Sequence, residues 1–279
     1  MKSNCILLMS VICLILFPLN GYGQKAEHHY SLFDPVPGVE MREMQTDRPD
    51  VTESPFTVDA GHFQFETDLV RMVKERTMSQ NTNTLLINQM NLKIGLNGST
   101  AIQIGFQTYG RQSENDFDSG EKTVREGNGD LTIRVKKNLI GNEGGNFALG
   151  LLPYIKFATS NYEDSVIEGG LIVPMQYKLP HGWNLGFQVE IDRLKDQDAN
   201  AMHTEFLQTL TISHSIIKGI EGIAETYYTY DFKEHQFSNY INAAIQMDVA
   251  KDVKLDAGLN LGIQHTAAKH YFIGASYRL

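Results

Sequence analysis

Cysteine is scarce in this chain of 279 residues. It has two cysteines, Cys5 and Cys13, and both lie near the start. The rest of the chain therefore has no disulfide, no zinc site built on cysteine and no cysteine nucleophile. Lipidation at Cys13 is disfavoured, because Val11 and Ile12 precede it where a lipidation signal places small residues.

Long apolar runs are also missing. After residue 24 no stretch reaches the roughly 18 consecutive apolar residues of a membrane-spanning helix, which excludes helical spans there. A shorter run, Ile6 to Phe17, follows Lys2 and is ended by Pro18. Because this run is too short to span a bilayer, residues 1–23 are predicted to be a secretory signal peptide that is cleaved before Gln24.

Positive charge is in deficit. The chain carries 24 Lys and Arg against 33 Asp and Glu, a net charge of -9. Nucleic-acid binders need a basic stripe, so no nucleic-acid partner is predicted. Nine histidines are scattered without a pair at ligand spacing on one face, so neither a metal site nor a cofactor is predicted.

The chain is rich in alternation with a period of two. From Trp183 to Ile191 every second residue is large and apolar, and the residues between are polar or glycine. This pattern is typical of a strand with one apolar and one wet face. Regular and less regular versions of it predict twelve strands, at 63–69, 86–96, 102–108, 131–135, 146–158, 169–179, 183–191, 204–216, 221–230, 241–249, 253–263 and 271–279.

The connections between these strands alternate in length. Long polar segments are predicted at 76–83, 110–127, 159–168, 193–203, 231–239 and 265–270. Short turns lie between them, at 97–99, 141–145, 180–182, 218–219 and 250–252. Outer-membrane barrels have short periplasmic turns and longer extracellular loops. The predicted fold is therefore an all-β, antiparallel, up-and-down transmembrane barrel of about 12 strands over residues 60–279, with both termini in the periplasm.

A soluble sandwich or lipocalin-like barrel would show similar alternation. Two predicted strands, 86–96 and 253–263, are however as long as the roughly 9 to 11 residues that cross a bilayer. Twelve inward apolar faces would also overfill a lumen, whereas outward ones meet lipid. The sequence thus favours outer-membrane lipid as a partner, with a monomer expected.

Aromatic residues near the strand ends are expected at the lipid headgroup level. They are Trp183, Tyr227, Tyr228, Tyr230, Tyr271 and Tyr277. Pro153 and Pro174 are expected to interrupt the ladder between 146 and 179, because proline belongs at bulges or edges.

The segment before the first strand carries the most specific motif. It reads Thr46-Asp47-Arg48-Pro49, then Ser54-Pro55, then Gly61 and the alternating Gln64-Phe65-Glu66. This opening resembles that of the phenol-degradation meta-pathway family of β-barrel proteins. The resemblance implies an outer-membrane transporter for a small molecule, aromatic or weakly polar in character, and implies no catalytic residue. The family habit of a terminal aromatic residue is replaced here by Leu279.

Residues 24–59 have two open interpretations. Pro49 lacks a donor and holds Arg48 in extended geometry, so this stretch is not expected to pair in a sheet. It either folds into the barrel mouth as a small plug, with Arg48 held by lumen carboxylates such as Glu66 or Glu190, or it remains a solvated periplasmic lead-in. The predicted polar contacts of the plug and lumen are Asp47, Arg48, Asp50, Glu53, Glu66, Arg134 and Glu190.

The predicted lumen positions carry charges of both signs, at Glu66, Asp68, Lys93, Arg134, Lys136, Glu190, Asp192, Glu205, Glu225, Lys254, Asp256 and Arg278. Pairing of these charges is expected to hold the barrel's shape, and the mixture gives no ladder of one sign for ion selectivity. Twelve strands fall between filled eight-stranded barrels and open porins, so a narrow lumen is expected. The acidic segment 113–129 is interpreted as a solvated loop in preference to a cation site.

Three functions follow from this sequence. The first is a transporter or channel for a small solute, and the second is a non-transporting barrel with a structural or partner-binding role. The third, an outer-membrane lipid hydrolase, requires a serine beside a histidine, as in Ser213-His214-Ser215. Alternation places His214 on the lipid face and both serines on the opposite face, so no catalytic residue is predicted and the chain is not expected to be an enzyme.

Overall fold

The computed structural model describes residues 29–162, 166–196, 201–264 and 266–279. The predicted signal peptide, with Cys5 and Cys13, and the lead-in up to residue 28 lie outside the described residues. So do residues 163–165, 197–200 and 265, which belong to three of the predicted long connections.

The described residues form strands almost throughout. There are thirteen strands: β1 (Phe63–Arg76), β2 (Gln80–Asn97), β3 (Thr100–Asp116), β4 (Lys122–Gly127), β5 (Leu131–Ile140), β6 (Phe147–Phe157), β7 (Glu168–Lys178), β8 (Trp183–Lys195), β9 (Met202–Ile217), β10 (Ile220–Asp231), β11 (Gln236–Ala250), β12 (Val253–Gly262) and β13 (Lys269–Arg278). A single 3-10 turn, Pro180–Gly182, completes the described elements. No helix in this described part is long and apolar enough to cross a membrane.

The strands close into a ring. Neighbours pair antiparallel in the order β2-β1-β13-β12-β11-β10-β9-β8-β7-β6-β5-β3, and the pairing of β2 with β3 closes the circle. β4 pairs only with residues 110–115 of β3 and extends the wall beyond the ring. The ring has twelve strands, which confirms the predicted antiparallel up-and-down barrel.

The two ends of the barrel differ, and we name them by their connections. The turn end carries 98–99, 141–146, 179–182, 218–219 and 251–252, together with the start of β1 and the end of β13. Of the described residues, the loop end carries 77–79, 117–121, 128–130, 158–162, 166–167, 196, 201, 232–235, 263–264 and 266–268.

Several segments predicted as loops are strands. Residues 110–116 and 122–127 belong to the predicted long connection 110–127, which overlaps the acidic loop predicted at 113–129, but they form the loop-end part of β3 and all of β4. The predicted connections 76–83 and 231–239 shrink to 77–79 and 232–235. These polar parts of the strands carry no apolar alternation, but pairing across the ladder satisfies their backbone N–H and C=O groups.

Large apolar side chains point out of the barrel. In β13, Tyr271, Ile273 and Tyr277 are 41 %, 51 % and 44 % exposed, whereas the intervening Phe272 and Arg278 are buried. In β1 the outward apolar positions run from Phe63 to Met72. At about 3.3 Å per residue and a tilt of about 40° this band is about 23 Å high, close to the apolar band of outer-membrane barrels.

One of the predicted headgroup-level aromatics lies elsewhere. Trp183, Tyr271 and Tyr277 are exposed on the outside, but Tyr227 is buried in the lumen, where its hydroxyl accepts a hydrogen bond from Asn260 Nδ2 at 2.6 Å. Tyr227 and Tyr228 are adjacent in β10, so alternation can place only one of them outside.

The ladder is irregular where Pro153 and Pro174 were expected to disturb it. The pairing of β5 with β6 skips the residues between Arg134–Tyr154 and Lys137–Leu151. The pairing of β6 with β7 skips those between Leu149–Met175 and Leu152–Ile172. Proline has no N–H for the ladder, so the wall is weakest around the middle of β6.

Replacing Ile245 with arginine tests the outward face. Ile245 lies near the middle of β11 and is 53 % exposed, whereas Ile216, at the turn end of β9, is 63 % exposed. Ile245→Arg is expected to lower the free energy of unfolding in phosphatidylcholine vesicles by about 2–4 kcal/mol, and Ile216→Arg by at most about 1 kcal/mol, because the cost of a charge falls toward the bilayer surface. Equal losses in urea titrations of the two variants would contradict a membrane around β11.

Candidate functional site

The chain before β1 enters the lumen from the turn end. We call residues 42–59 the lumenal segment. Asp59 holds its base, since Arg42 Nε donates to Asp59 Oδ1 at 2.6 Å and Arg278 Nη1 donates to Asp59 Oδ2 at 3.3 Å. Arg278 also donates to Asp252 through Nη2 at 2.6 Å. The base of the segment is therefore bound to the last strand and to the turn before β12.

Asp47 lies at the centre of a cluster of cations. Its carboxylate accepts from Lys93 Nζ at 2.5 Å, from Lys136 Nζ, and lies 3.6 Å from Arg134 Nη2. Gln103 Nε2 donates to the same carboxylate at 3.1 Å. Lys136 is 1 % exposed and Asp47 is 8 % exposed, so these charges are screened little by water.

Two further carboxylates complete this cluster. Glu66 accepts from the backbone N–H of Asp47 at 3.0 Å and from Lys93 Nζ. Glu53 accepts from Arg134 Nη2 at 3.2 Å and lies 3.6 Å from Lys136 Nζ. The wall side chains of this cluster come from β1, β2, β3 and β5, where they occupy the alternate positions that point into the lumen. A charge-assisted network thus binds one side of the lumenal segment to the wall.

Arg48 binds a second part of the wall. Its Nη1 donates to Asp68 Oδ1 at 2.6 Å, and its Nη2 and Nε donate to the two oxygens of Asp256 at 2.6 Å and 3.0 Å. Lumen carboxylates such as Glu66 or Glu190 were expected to hold Arg48, and the structure places Arg48 on two other lumen carboxylates. Alternation gave the face of each carboxylate correctly, but not its height in the barrel, and Asp68 and Asp256 lie at the height of Arg48.

Gly274 makes room for the Arg48 guanidinium. A Cβ at this position of β13 would lie 1.9 Å from Arg48 Nη2. Only glycine lets the guanidinium lie against the strand backbone at this point. Phe272, two residues earlier, has its ring centroid 5.8 Å from Arg48 Cζ and 5.0 Å from Arg71 Cζ.

The tip of the lumenal segment reaches the opposite wall. Glu225 of β10 accepts from the backbone N–H groups of Val51 and Thr52 at 2.9 Å and 2.8 Å. The Thr52 hydroxyl lies 2.6 Å from Thr209 Oγ1 and 2.8 Å from Thr211 Oγ1. Because the segment contacts β1 and β2 on one side and β9 and β10 on the other, it crosses the lumen.

The wall beside the irregular ladder of β6 also binds the segment. Lys136 Nζ donates to the backbone oxygen of Ser54 at 2.6 Å, and Asn138 Nδ2 donates to that of Pro55 at 2.9 Å. A Cβ added at Gly150 would lie 3.2 Å from the Pro55 backbone. The segment therefore packs closely against the wall where strand pairing is interrupted.

The structure brings most of the predicted site residues together. Asp47, Glu53, Glu66 and Arg134 form one cluster, whereas Arg48 belongs to the neighbouring group with Asp68 and Asp256. Asp50 lines the cavity beside the segment. Glu190 accepts from Gln188 Nε2 at 2.8 Å, and Gln188 Oε1 accepts from the backbone N–H of Glu53 at 2.7 Å. Their roles in function stay a prediction.

Sequence reasoning missed other residues of the site. Lys93, Lys136, Asp68, Asp256 and Glu225 were recognised as lumen-facing, but not as partners of the segment. Arg42, Thr52 and Asp59 carried no recognisable signal, because their contacts depend on the path of the segment through the lumen.

Open space remains beside the lumenal segment on its turn-end side. A cavity of about 450 Å³ lies toward the turn end, and its lining includes Thr211, Ser213, Glu221, Gln246 and Lys254. On the loop-end side the lumen carries aromatic rings. Tyr227 and Tyr240 stack there with ring centroids 4.4 Å apart and an interplanar angle of 9°.

Charged side chains join two connections at the loop end. Lys233 Nζ donates to Asp196 Oδ2 at 2.7 Å, and Asp196 Oδ1 lies 2.8 Å from His203 Nδ1. The hydrogen bond from Lys233 lowers the pKa of Asp196, and the same bond raises the pKa of Lys233. This pair links connection 232–235 to the start of connection 196–201.

The candidate hydrolase residues diverge. Ser213 Oγ donates to Glu221 Oε1 at 2.6 Å on the lumen side, and the His214 ring packs outside against Trp183 with centroids 4.4 Å apart. Among the described residues no group of three or more His, Cys, Asp or Glu side chains is arranged to hold a metal ion.

Comparisons with known proteins identify both a family and a fold. The family model described as "Putative MetA-pathway of phenol degradation" matches residues 46–279. No curated protein matches the chain. The chain is similar to the COG4313 outer membrane channel from Pseudomonas putida F1, with a TM-score of 0.60 and 11 % identity over 84 % of this chain and 100 % of that chain.

Two other solved barrels are similar. They are the NanC porin, with a TM-score of 0.50 and 10 % identity over 77 % of this chain and 100 % of that chain, and the transport unit of the autotransporter AIDA-I from Escherichia coli, with a TM-score of 0.52 and 8 % identity over 86 % and 94 %. At these identities the similarity shows the fold, which is that of outer-membrane barrels.

Replacing Asp47 with asparagine tests the cation cluster. Asp47→Asn leaves Lys93, Lys136 and Arg134 with less counter-charge in a buried place, and is expected to weaken binding of the segment to the wall by about 3–5 kcal/mol. The reporter is Met44→Cys, a position 1 % exposed in the segment and three residues from Asp47, whose rate of maleimide labelling should rise at least about 100-fold.

Glu143→Gln is the control for this variant. Glu143 pairs with Arg42 at 3.2 Å, but its side chain is 80 % exposed, so its loss should change labelling less than about fivefold. Similar labelling rates for Asp47→Asn and Glu143→Gln would show that the buried cluster does not hold the segment.

Proposed function

This chain belongs to the family described as "Putative MetA-pathway of phenol degradation", and we propose that it is an outer-membrane channel for small molecules. In this proposal the lumenal segment closes and opens the channel. The family match bears out the resemblance of the opening motif. The barrel is channel-like, with a polar interior and an apolar exterior.

The observation that carries the proposal is the path of the lumenal segment. It crosses the lumen between the cluster of Asp47 and the wall around Glu225, and leaves a cavity on the turn-end side. In the proposal residues 24–59 act as a plug, and passage requires the tip around Val51 and Thr52 to leave the far wall. The tip is held by hydrogen bonds to Glu225, Thr209 and Thr211, whereas Asp47 and Arg48 are held by buried ion pairs. Hydrogen bonds exchange with water more readily than buried ion pairs, so the tip is the part that moves in this proposal.

The lining of the lumen supports a small aromatic or weakly polar solute. The rings of Tyr227, Tyr240 and Phe272 face the loop-end half, with Arg71 beside Phe272. The turn-end cavity of about 450 Å³ falls within the range of small-molecule sites. The family description adds phenol degradation as the chemical context.

The proposal includes an orientation. Export by the predicted signal peptide would place residue 24 in the periplasm, so the turn end faces the periplasm and the loop end faces outward. The barrel acts as a monomer in this proposal, because the ring closes within one chain.

A non-transporting barrel is the second candidate. The buried ion pairs that hold the segment favour it, because a plug that never leaves would make the barrel a scaffold for envelope contacts. A lipid hydrolase receives no support from the separation of Ser213 and His214.

A reversible disulfide tests the channel directly. After Cys13 the sequence has no cysteine, and the hydroxyls of Thr52 and Thr209 lie 2.6 Å apart, which suits a disulfide between the segment tip and β9. In planar bilayers the oxidised Thr52→Cys/Thr209→Cys protein should lose at least about 90 % of its conductance, and reductant should restore it, because only the reduced tip can move.

Two comparisons make this result decisive. Each single cysteine variant should conduct alike with and without oxidant. Deletion of residues 24–59 should raise conductance several-fold if the segment is a plug, whereas unchanged conductance with loss of a co-purifying partner would favour the non-transporting barrel. Equal conductance of the oxidised and reduced double variant would contradict the proposal that the segment gates the channel.

A further inference from the structure

Two lysines face each other on the outside of the barrel. Lys74 of β1 and Lys269 of β13 are directly opposite partners in the antiparallel ladder. Opposite residues on one face have Cβ atoms about 4.5–5.5 Å apart, and like charges in that arrangement destabilise a sheet. Both side chains are exposed. They occupy the next outward positions toward the loop end after the pair of Met72 and Tyr271.

A third cation extends the group toward the loop end. Arg76 follows Lys74 on the same face of β1, and its Cζ lies 5.3 Å from the Phe117 ring centroid. The outward neighbours on β2 are uncharged, since Lys74 pairs with Asn83 and Arg76 pairs with Asn81. We call Lys74, Arg76 and Lys269 the basic triad.

The basic triad is unpaired within the part of the chain that the structure describes. None of its members forms an ion pair there, although the chain carries a net charge of -9. The nearest carboxylate in sequence, Glu75, belongs to the alternate, lumen-side set of β1. A repulsive cluster without internal compensation points to a negatively charged group from outside the chain.

The position of the triad in relation to the apolar band indicates which group. Phe63 to Met72 spans the band, so the triad lies where the band ends and headgroups begin. Below it, Met72 and Tyr271 are 45 % and 41 % exposed and offer an apolar surface. A notch of about 560 Å³ opens beside the triad between the end of β1 and the connection before β13, lined by Lys74, Arg76, Lys269, Tyr271 and also Glu75.

We propose that the basic triad binds the phosphorylated headgroup of a lipid in the leaflet at the loop end. Phosphate oxygens accept hydrogen bonds from the two ammonium groups and the guanidinium, while the acyl chains lie against Met72 and Tyr271. Lysine stems suit this edge, because their methylene groups cover apolar surface and their charged ends reach the headgroup level. The phosphates replace the repulsion between Lys74 and Lys269 with attraction. This inference rests on the proposed outer-membrane location.

Binding of bis-phosphorylated lipid A to the purified full chain in an uncharged detergent tests the site. The Lys74→Gln/Lys269→Gln variant should bind this lipid about 30-fold more weakly, because each lysine near an anionic lipid contributes about a factor of five. The affinity of the unaltered protein should also fall with added salt. Phosphatidylcholine, which has no net charge, should bind the two proteins alike.

A control variant removes the same charge elsewhere. Lys122→Gln/Lys218→Gln changes two exposed lysines, on β4 and in the turn before β10, and should bind lipid A within about twofold of the unaltered protein. In uncharged detergent the Lys74→Gln/Lys269→Gln protein should unfold at no lower temperature than the unaltered one, because it loses a repulsive pair. Weak lipid binding therefore cannot be attributed to misfolding.

Three results would overturn the lipid site. They are equal lipid A affinity for the unaltered and Lys74→Gln/Lys269→Gln proteins, an equal loss in the control, or displacement of the lipid by inorganic phosphate at similar concentration. The outer-membrane proposal is checked separately, by the change in electrophoretic mobility of the membrane fraction on boiling and by conductance. A barrel that passes those checks and does not discriminate lipid A rejects this site alone.

Discussion

The pairing of buried charges inside the barrel is the constraint on which the structure depends. Lys136 and Asp47 are almost fully buried, and an uncompensated charge in such a place costs several kcal/mol. The wall supplies the cations Lys93, Lys136 and Arg134 from β2 and β5, and the carboxylates Asp68 and Asp256 from β1 and β12. The lumenal segment carries the matching Asp47 and Arg48 next to each other. Wall and segment therefore each neutralise charges that the other leaves unpaired.

This arrangement connects the pairing of charges with the blocking of the lumen. A barrel without the segment would expose an excess of cations near β2 and β5 and an excess of carboxylates near β1 and β12 to water in the lumen. With the segment in place these charges are satisfied and the lumen is crossed. Among the described residues the far wall has no cation cluster at the segment. It binds the segment through hydrogen bonds, with Glu225 as an acceptor and the hydroxyls of Thr209 and Thr211 beside that of Thr52. The part of the segment around Asp47 and Arg48 is thus bound more firmly than the tip around Thr52.

The outer surface differs from the lumen, because its exposed side chains are largely apolar. Lys74 and Lys269 lie at the loop-end edge of this apolar band. The alternation that places Tyr271 and Ile273 outside also places Phe272 beside Arg48 and Arg71. One strand, β13, therefore joins the lipid-facing surface, the lumen site and the Lys269 position of the basic triad. The same period of two that builds the membrane surface builds the site.

The sequence by itself determined the strand number, the antiparallel barrel and the lumen-facing set that includes Glu66, Lys93, Arg134 and Asp256. These follow from a period of two and from turn chemistry, which are local properties of the chain. It did not determine the polar extensions of β3 and β4, because backbone pairing there carries no hydrophobic signal. Only the tertiary structure decided that Arg48 meets Asp68 and Asp256, that Thr52 reaches Thr209, and that Lys74 faces Lys269. The physical reason is that register and height in a closed barrel are set by the closure of the whole ring and by the path of the segment through it, and neither is encoded within one strand.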